Sequence, residues 1–543
     1  MARRLALTSA LLATLLAVSG AGGAAMQQMP KRGGTVVVGM NSLAEPPCLG
    51  WAAVCLGRWQ WRDKVLALPF LQGPYGLRND LVERYSLTKD PFTVTFHIRP
   101  QARWSDGVPI SARDFVFAYE AYREQSGLPD DDPFKTAIRS AHAVDAKTVR
   151  FVFRTPRGDW RSKWLLQFPP LPWHALRGEK LHASDELWRD GIVNPKTGDP
   201  IGSGPFLVGR WDRGRELVLV RNPGYWGRHK AYVDRLVLRF VPGTTADTEQ
   251  ALKAGDIDVG VVSTLQGELQ SHAGCEVLTT PWAGWQHFEF RADGPGGHRA
   301  LRNKNVRRAL AYGIDRVALV RTLFGSDRHL LDNTIYLRNE RNYRPNWNVY
   351  RYRPALARRL LEQVGCSRGA DGIYACGGER LRLRFVTTSG VPVRTRILEL
   401  VQSQLRRAGV EVQPVYVPNQ TLFGTVLPSG NFDAALFGFF KAAPEDANSP
   451  YRCGVSGNLS GYCSRLVTAD LDELDVTVDP ARRIAVANRI DRRLAADVPT
   501  LPLFQASLTY VVRKQLRGVV PNGYSTLTSD WSVWNAENWW LER

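Results

Sequence analysis

The chain has 543 residues, 44% of them hydrophobic and 23% charged, with seven cysteines and a formal net charge of +19. That length exceeds a single ordinary core, and the apolar content excludes a disordered chain, so two or three globular lobes are expected. Seven cysteines cannot frame the fold, and the only long apolar run lies at the N-terminus, which excludes an internal membrane-spanning helix. The basic residues are spread over the whole length and rarely exceed pairs such as Arg307-Arg308 or Arg492-Arg493. Such dispersion describes a solvated surface rather than a phosphate-binding stripe, and no nucleic-acid partner is expected.

Residues 1–25 read as a secretory signal: Arg3 and Arg4 precede the apolar stretch Leu5 to Val18, and Gly23-Ala24-Ala25 supplies small residues before Met26. No cysteine follows that stretch until Cys48, which disfavours a lipid anchor. The mature chain is therefore expected to be exported, periplasmic or otherwise extracytoplasmic, where disulfides form. Close spacing pairs Cys48 with Cys55, Cys366 with Cys376 and Cys453 with Cys463, leaving Cys275 as the free thiol. Each of the two later pairs would close a loop of about ten residues, worth roughly 2.5–3 kcal/mol in the chain-entropy account. These are loop staples, since none has CxxC spacing.

Gly33-Gly34 precedes a β-branched strand, TVVVGM. Thr93, Thr95 and His97 then alternate with Val94, Phe96 and Ile98, the period of a half-buried strand, before a turn at Asp106-Gly107. Ser111 and Asp114 have capping-box spacing ahead of a helix with Phe115, Tyr119 and Tyr122 on one face. Further strands are expected through 201–227 and 232–241. Val306, Leu310, Ile314, Val317 and Phe324 recur at near-helical spacing and predict one packed helix. Pro354 and Gly365 bracket another, although Arg353 is a poor cap. The segment RILELVQSQLRRAG is a helix stopped at Gly409 and followed by a strand, and the stretch before Pro499 repeats that switch. Chain crossings between mixed α/β lobes fit this order better than separate beads.

Motifs of catalysis are missing: there is no G-x-S-x-G, HExxH, P-loop or G-x-G-x-x-G. Asp256 and Asp258 in AGDIDVG look like paired carboxylates, but their spacing around Ile257 suits a turn and strand edge better. The anomaly is tryptophan, 17 in all, with clusters at Trp59/Trp61, Trp282/Trp285 and Trp531/Trp534/Trp539/Trp540. Aromatic side chains fill cores and also line ligand clefts.

Eight segments taken in order, TFHIRPQARWSDGVPISARDFVFAY, GSGPFLV, RNPGYW, ALKAGDIDV, VRRALAYGIDRVALV, QLRRAGVEV, GNFDAALFGFF and GYCS with DELD after it, resemble the bacterial extracellular solute-binding proteins of family 5. These are the peptide/nickel-type receptors of ABC importers, and the resemblance runs from about Gly33 to the C-terminus. It implies an α/β, three-lobed periplasmic-binding-protein clamshell of class II, peptide-receptor type. Lobe I would comprise residues 33–72, 200–283 and 506–543, lobe II 73–199, and lobe III 284–505. Lobes I and III would enclose a peptide or peptide-like solute and deliver it to the membrane permease. The receptor would be a monomer without cofactor or metal and not an enzyme. An oligosaccharide or metal chelate is the alternative ligand, and an exported hydrolase the alternative class.

For the cleft, the resemblance and the aromatic pattern point to Trp282, Trp285, His287, Gly438, Phe439, Phe440, Lys441 and Phe504. The aromatics would be walls, the glycine a backbone partner, and Lys441 either a cationic contact or a solvated side chain. Peptide receptors of this family place an Asp four residues after the Gly of their Gly-Trp segment, to pair with a peptide amino terminus. Here that position is Ala442, and Glu445 or Asp446 would substitute only in a realigned loop.

Overall fold

The computed structural model describes residues 29–40, 61–123, 137–165, 169–178, 192–212, 214–241, 245–263, 274–441, 447, 449–455, 457–524 and 532–542. The Cys48/Cys55 pair, Trp59, Trp531, Ala442, Glu445 and Asp446 lie outside these residues, as do the expected signal segment and the side chain of Tyr122. Among the described residues no helix is long and apolar enough to cross a membrane.

The chain opens with β1 (Thr35–Met40), a hairpin of β2 (Phe70–Gly73) and β3 (Gly76–Asn79), then β4 (Val82–Lys89), β5 (Phe92–Ile98), β6 (Ile138–Asp145) and β7 (Thr148–Phe153). Strands β4 to β7 form their own antiparallel sheet in the order β4-β5-β7-β6. The helix Ala112–Arg123 lies on it, burying Phe115 and Tyr119 in a core separate from the main one. Half of the expected capping box forms: Ser111 N donates to Asp114 Oδ2 at 2.6 Å, while Ser111 Oγ donates to the same carboxylate at 3.0 Å. The other Asp114 oxygen accepts from Trp173 N at 2.9 Å and so holds the next loop.

The second sheet takes β8 (Phe206–Asp212), β9 (Glu216–Arg221), β10 (Arg235–Phe240), β11 (Val259–Ser263) and the long β12 (Cys275–Phe290). A small hairpin, β13 (Cys366–Arg368), β14 (Tyr374–Cys376) and β15 (Glu379–Arg380), precedes β16 (Arg382–Thr388), β17 (Glu411–Val417), β18 (Ala434–Phe440) and the long β19 (Thr500–Arg513). Ten strands run in the order β17-β16-β18-β12-β19-β11-β1-β10-β9-β8. Asp258 is structural here: its Oδ2 accepts from Val37 N at 2.8 Å, and Arg513 Nε lies 3.4 Å from its Oδ1, so it ties β1 to β19.

Strands β12 and β19 pair with each other on both sides of an irregularity. Cys275–Pro281 faces Ser507–Arg513, and Trp285–Glu289 faces Thr500–Gln505, but in between Trp282, Ala283 and Gly284 oppose only Ala506. Surplus residues of this kind bend a strand and sharpen its twist. The sheet thus has two halves joined through two kinked strands.

One expectation is corrected. The apolar repeat from Val306 to Phe324 is two helices, Lys304–Gly313 and Arg316–Phe324. Ile314 is extended, and the Asp315 side chain accepts from Ala318 N at 2.9 Å, capping a new start. The other helices follow the sequence: Pro354–Gln363 begins at Pro354 with no side-chain cap from Arg353, and Pro392–Arg407 ends just before Gly409. The helices Arg465–Val476 and Pro480–Asp497 pack together before β19.

Disulfides Cys366–Cys376 and Cys453–Cys463 form as expected, the first directly across the β13–β14 pair, and Cys275 is free and buried. Peptide mapping without reductant should recover both local bridges and should find Cys275 alkylated only after unfolding. A long-range bridge from Cys275 would contradict this.

A buried charge cluster lies where a one-turn helix, Arg62–Val65, meets the C-terminal segment. Lys64 Nζ is 3.0 Å from Asp63 Oδ2 and 3.4 Å from Glu537 Oε2, and also donates to Trp534 O. Burial pushes the Asp63 carboxyl up to about 6, against the pull of Lys64 and Arg62 and with Glu537 adding to the rise. A carboxyl raised on folding binds more protons folded than unfolded, so its contribution falls as pH rises from about 4 through 6 and stays low above. The stability difference between wild type and Asp63→Asn should shift towards the variant by about 2–3 kcal/mol between pH 4 and pH 7. Urea unfolding at the two pH values measures it, and a pH-independent difference would refute it.

Candidate functional site

The kink of β12 exposes backbone groups that the ladder no longer uses, and buried groups of this kind need partners. Each finds one. Trp282 O accepts from Gln505 Nε2 at 2.8 Å, Ala283 N donates to Gly523 O at 2.8 Å, and Ala283 O accepts from Lys441 N at 3.0 Å. Gln505 Nε2 also donates to Asn339 Oδ1 at 2.8 Å, and Gln505 Oε1 accepts from Arg338 N at 3.1 Å. The irregular 330–344 segment is thereby brought against the kink of β12 and the end of β18.

That segment carries Glu340. Its Oε2 lies 2.6 Å from Lys441 Nζ and accepts from Leu337 N at 3.0 Å, while Oε1 accepts from Tyr524 OH at 3.1 Å. Both side chains of the ion pair are buried, and Lys441 Nζ sits 4.7 Å from the Tyr336 ring centroid. Burial raises the Glu340 carboxyl above its ordinary range, with Lys441 drawing it back down. The expectation for Lys441 is therefore corrected: it is neither a solvated side chain nor a free cation facing a ligand. A desolvated ammonium needs a counter-charge, and Glu340 supplies it.

The two strands place the other expected residues on opposite faces of the sheet. Trp285 pairs with Phe439 and His287 with Phe437 on one face. The His287 ring is stacked on Phe439 at 4.4 Å and 9°, and Trp285 lies 5.4 Å from Phe439. Burial pushes the His287 imidazole below its usual range, and Glu289 Oε2 is 3.5 Å from Nε2. On the other face Gln286 stands beside Gly438, where a Cβ would overlap the Gln286 amide. The helix Pro392–Arg407 adds Arg394, whose Nε donates to Gln286 Oε1 at 3.0 Å and whose Nη1 donates to Thr388 Oγ1 at 2.5 Å. Burial lowers Arg394 to about 10.

Exposure separates these residues. Phe440 is 68% exposed, with its ring centroid 5.0 Å from that of Trp282. Trp282 and Trp285 are buried with small exposed edges, whereas His287 and Phe504 have no exposed surface. Phe504 packs against Phe324 at 4.9 Å. His287 and Phe504 thus support the wall from behind, and the expectation that they face a cleft is corrected. The sequence reading missed Glu340, Tyr524, Gln505 and Arg394, which approach only through long-range packing.

A cavity of about 810 Å³ borders Glu340, Tyr524 and the β2–β3 turn at Pro74–Gly76. A second, also about 810 Å³, lies between the four-stranded sheet and the helices Arg465–Val476 and Pro480–Asp497. Asn342, Pro480 and Ile484 line both. Among the described residues no three His, Cys, Asp or Glu side chains converge as metal ligands. The arrangement offers aromatic surface, backbone groups at strand ends and an internally neutral charge pair, all suited to non-covalent capture.

Residues 76–461 match the family of bacterial extracellular solute-binding proteins, family 5. The chain belongs to that family. It is 28% identical over 456 residues to the oligopeptide-binding protein OppA of Mycobacterium tuberculosis, covering 80% of this chain and 73% of that one. It is 21% identical over 534 residues to the dipeptide-binding protein DppE of Bacillus subtilis, covering 92% of each. Among solved structures, AppA of Bacillus subtilis in complex with a nonapeptide matches with a TM-score of 0.71 at 20% identity, covering 95% of this chain and 100% of that one. NikZ of Campylobacter jejuni in complex with Ni(L-His) matches with a TM-score of 0.75 at 20% identity, covering 93% and 99%. The fold is that of the multi-lobed clamshell these proteins share.

Replacing Lys441 by Ala should lower the unfolding free energy by about 3–5 kcal/mol, because Glu340 would stay buried without its cation. In a double-mutant cycle, Glu340→Ala combined with Lys441→Ala should cost clearly less than the sum of the single changes. Denaturant unfolding of the four proteins decides it, and strict additivity would mean that the pair is not coupled.

Proposed function

We propose that the protein is the extracytoplasmic substrate-binding component of an ABC importer, capturing a peptide or peptide-like solute between lobes I and III for delivery to a permease. Family membership supports receptor function, and the oligopeptide- and dipeptide-binding relatives support the peptide assignment. The structural observation that carries the reading is the kinked β12–β19 crossing with exposed Phe440 at the joint. Lobe boundaries at 283/284 and 505/506 fall at that kink, so closure about it would cover Phe440 and the strand ends. In this reading the receptor works as a monomer, needs no cofactor and releases its ligand unchanged.

An extended peptide is held largely by its main chain, with pockets sorting alternate side chains. The edge of Trp282 beside Phe440 would give one apolar pocket, and the Glu340–Lys441 pair would add polarity without net charge. A peptide ammonium then gains little from Glu340, whose oxygens are already committed to Lys441, Leu337 and Tyr524.

Native mass spectrometry of protein purified from its own source should release an intact peptide. A cleaved product would instead favour a hydrolase. With that peptide, calorimetry should show Phe440→Ala weakening binding by more than tenfold, about 1.4 kcal/mol, with an unchanged melting temperature since the ring is exposed. Acetylating the peptide amino terminus should change affinity by less than tenfold. A thousandfold loss on acetylation would place an unrecognised carboxylate at the anchor.

A further inference from the structure

The cavity between the four-stranded sheet and the paired helices is walled in an unusual way. Along β4, where alternate residues of an exposed strand are normally polar, Tyr85 and Leu87 stand more than one third exposed. Facing them across the gap, Val476 is 46% exposed at the end of its helix, while Val478 just beyond it packs against the core of the four-stranded sheet. Apolar surfaces that meet in a folded protein ordinarily close on each other. Here the lobes do touch alongside: Gly158 N donates to Asp475 O at 2.7 Å, and a Cβ at Gly158 would overlap the Thr477 carbonyl. Yet about 810 Å³ stays open beside that contact, within the range of ligand sites.

Four cations edge this space, Lys89, Arg161, Arg482 and Arg483, together with two acids, Asp479 and Glu473, the latter paired with Arg482 and Arg489. Arg161 lies over the rings of Phe70 and Tyr85 at 4.8 and 5.7 Å and donates to Leu77 O at 3.1 Å, but its buried Nε has no acceptor among the described residues. Lys89 is exposed at the same wall and has no ion pair among the described residues. The space also adjoins the candidate site. Asn342, Pro480 and Ile484 are shared with the cavity beside Glu340 and Tyr524, and Tyr336 lines this cavity while lying under Lys441.

We propose that this crevice is the distal half of the binding site and takes the apolar, carboxylate-bearing end of an elongated peptide whose near end lies at Phe440 and Trp282. The inference rests on the peptide-receptor reading and adds to it a ligand length and a composition. Apolar side chains would fill the space between Leu87 and Val476, and a carboxylate would meet Arg161 and Lys89. A ligand of two or three residues would leave the crevice empty.

The test fills the crevice from either wall with Leu87→Trp and with Val476→Trp, both at partly exposed side chains on different lobes. Each full-length variant and the wild type are offered randomised mixtures of tripeptides and of nonapeptides, and retention is read by native mass spectrometry. The expected result is that wild type retains nonapeptides rich in apolar residues and in Asp or Glu, and that both variants lose them at least tenfold without losing any tripeptide retention. Nonapeptide retention unchanged in either folded variant overturns the inference, as does equal loss of tripeptides, which would make the crevice part of the near site. Retention of neither mixture by wild type removes the peptide reading itself, and this inference with it.

Discussion

Everything at the candidate site follows from one constraint: β12 and β19 must stay paired while changing direction. The three residues Trp282, Ala283 and Gly284 cannot all find ladder partners opposite the single Ala506. Leaving their buried backbone groups unpaired would cost about 1–3 kcal/mol each. The chain satisfies Trp282 O, Ala283 N and Ala283 O outside the β12–β19 ladder, through the Gln505 side-chain amide, the Gly523 carbonyl and the Lys441 amide. Those substitutes draw in the 338–340 segment, the end of β18 and the 522–524 segment, so the residues of the site are gathered by the repair of the kink.

The same gathering creates the electrostatic problem that Glu340 answers. Lys441 follows directly on β18, and its amide is needed by Ala283, so its side chain is carried into the buried region whether or not a charge is wanted there. Glu340 reaches it through the Gln505–Asn339 contact, and Tyr524 completes the carboxylate's shell. A pair of this kind contributes little net stability against an apolar replacement, yet losing one partner is costly. Its effect is to lock three distant segments into one register.

Much of the fold is legible in the sequence. Alternation marked β5, helix stops marked Pro392–Arg407, and the close cysteine spacings marked both staples, because each signal is local and its partner lies a few residues away. The split at Ile314 was hidden because the apolar repeat runs on through it, although Asp315 has the residue type of a helix cap. Candidate residues on β12 and β18 come from the family resemblance and the aromatic pattern together, but their exposure is not readable there. Whether a ring on a strand faces water depends on which face the kinked sheet presents, and His287 and Phe440 fall on opposite sides of that divide. Glu340 left no trace in the sequence. It lies 101 residues from Lys441 in a stretch without periodicity, and only the Gln505 bridge brings the two together.

The position of the joint also governs where the molecule has freedom to change. Hydrogen bonds from Ala283 to Gly523 and from Tyr524 to Glu340 cross between the C-terminal segment and the strand ends close to the kink, so a hinge there keeps its nearest contacts almost fixed. Displacement in a rotation grows with distance from the axis. The contact of Gly158 with Asp475 and Thr477 belongs to a different pair of elements from the kink itself, with no shared strand to hold it, and one backbone hydrogen bond with the partly exposed Arg157–Asp475 ion pair at 3.8 Å is a weak restraint. In the proposed closure the kink would be the pivot and keep its dense polar pairing, whereas the facing walls of Leu87 and Val476 would carry apolar surface that water covers when they part. That division of labour explains why the buried charges of the site cluster at the kink and the exposed apolar side chains line the crevice.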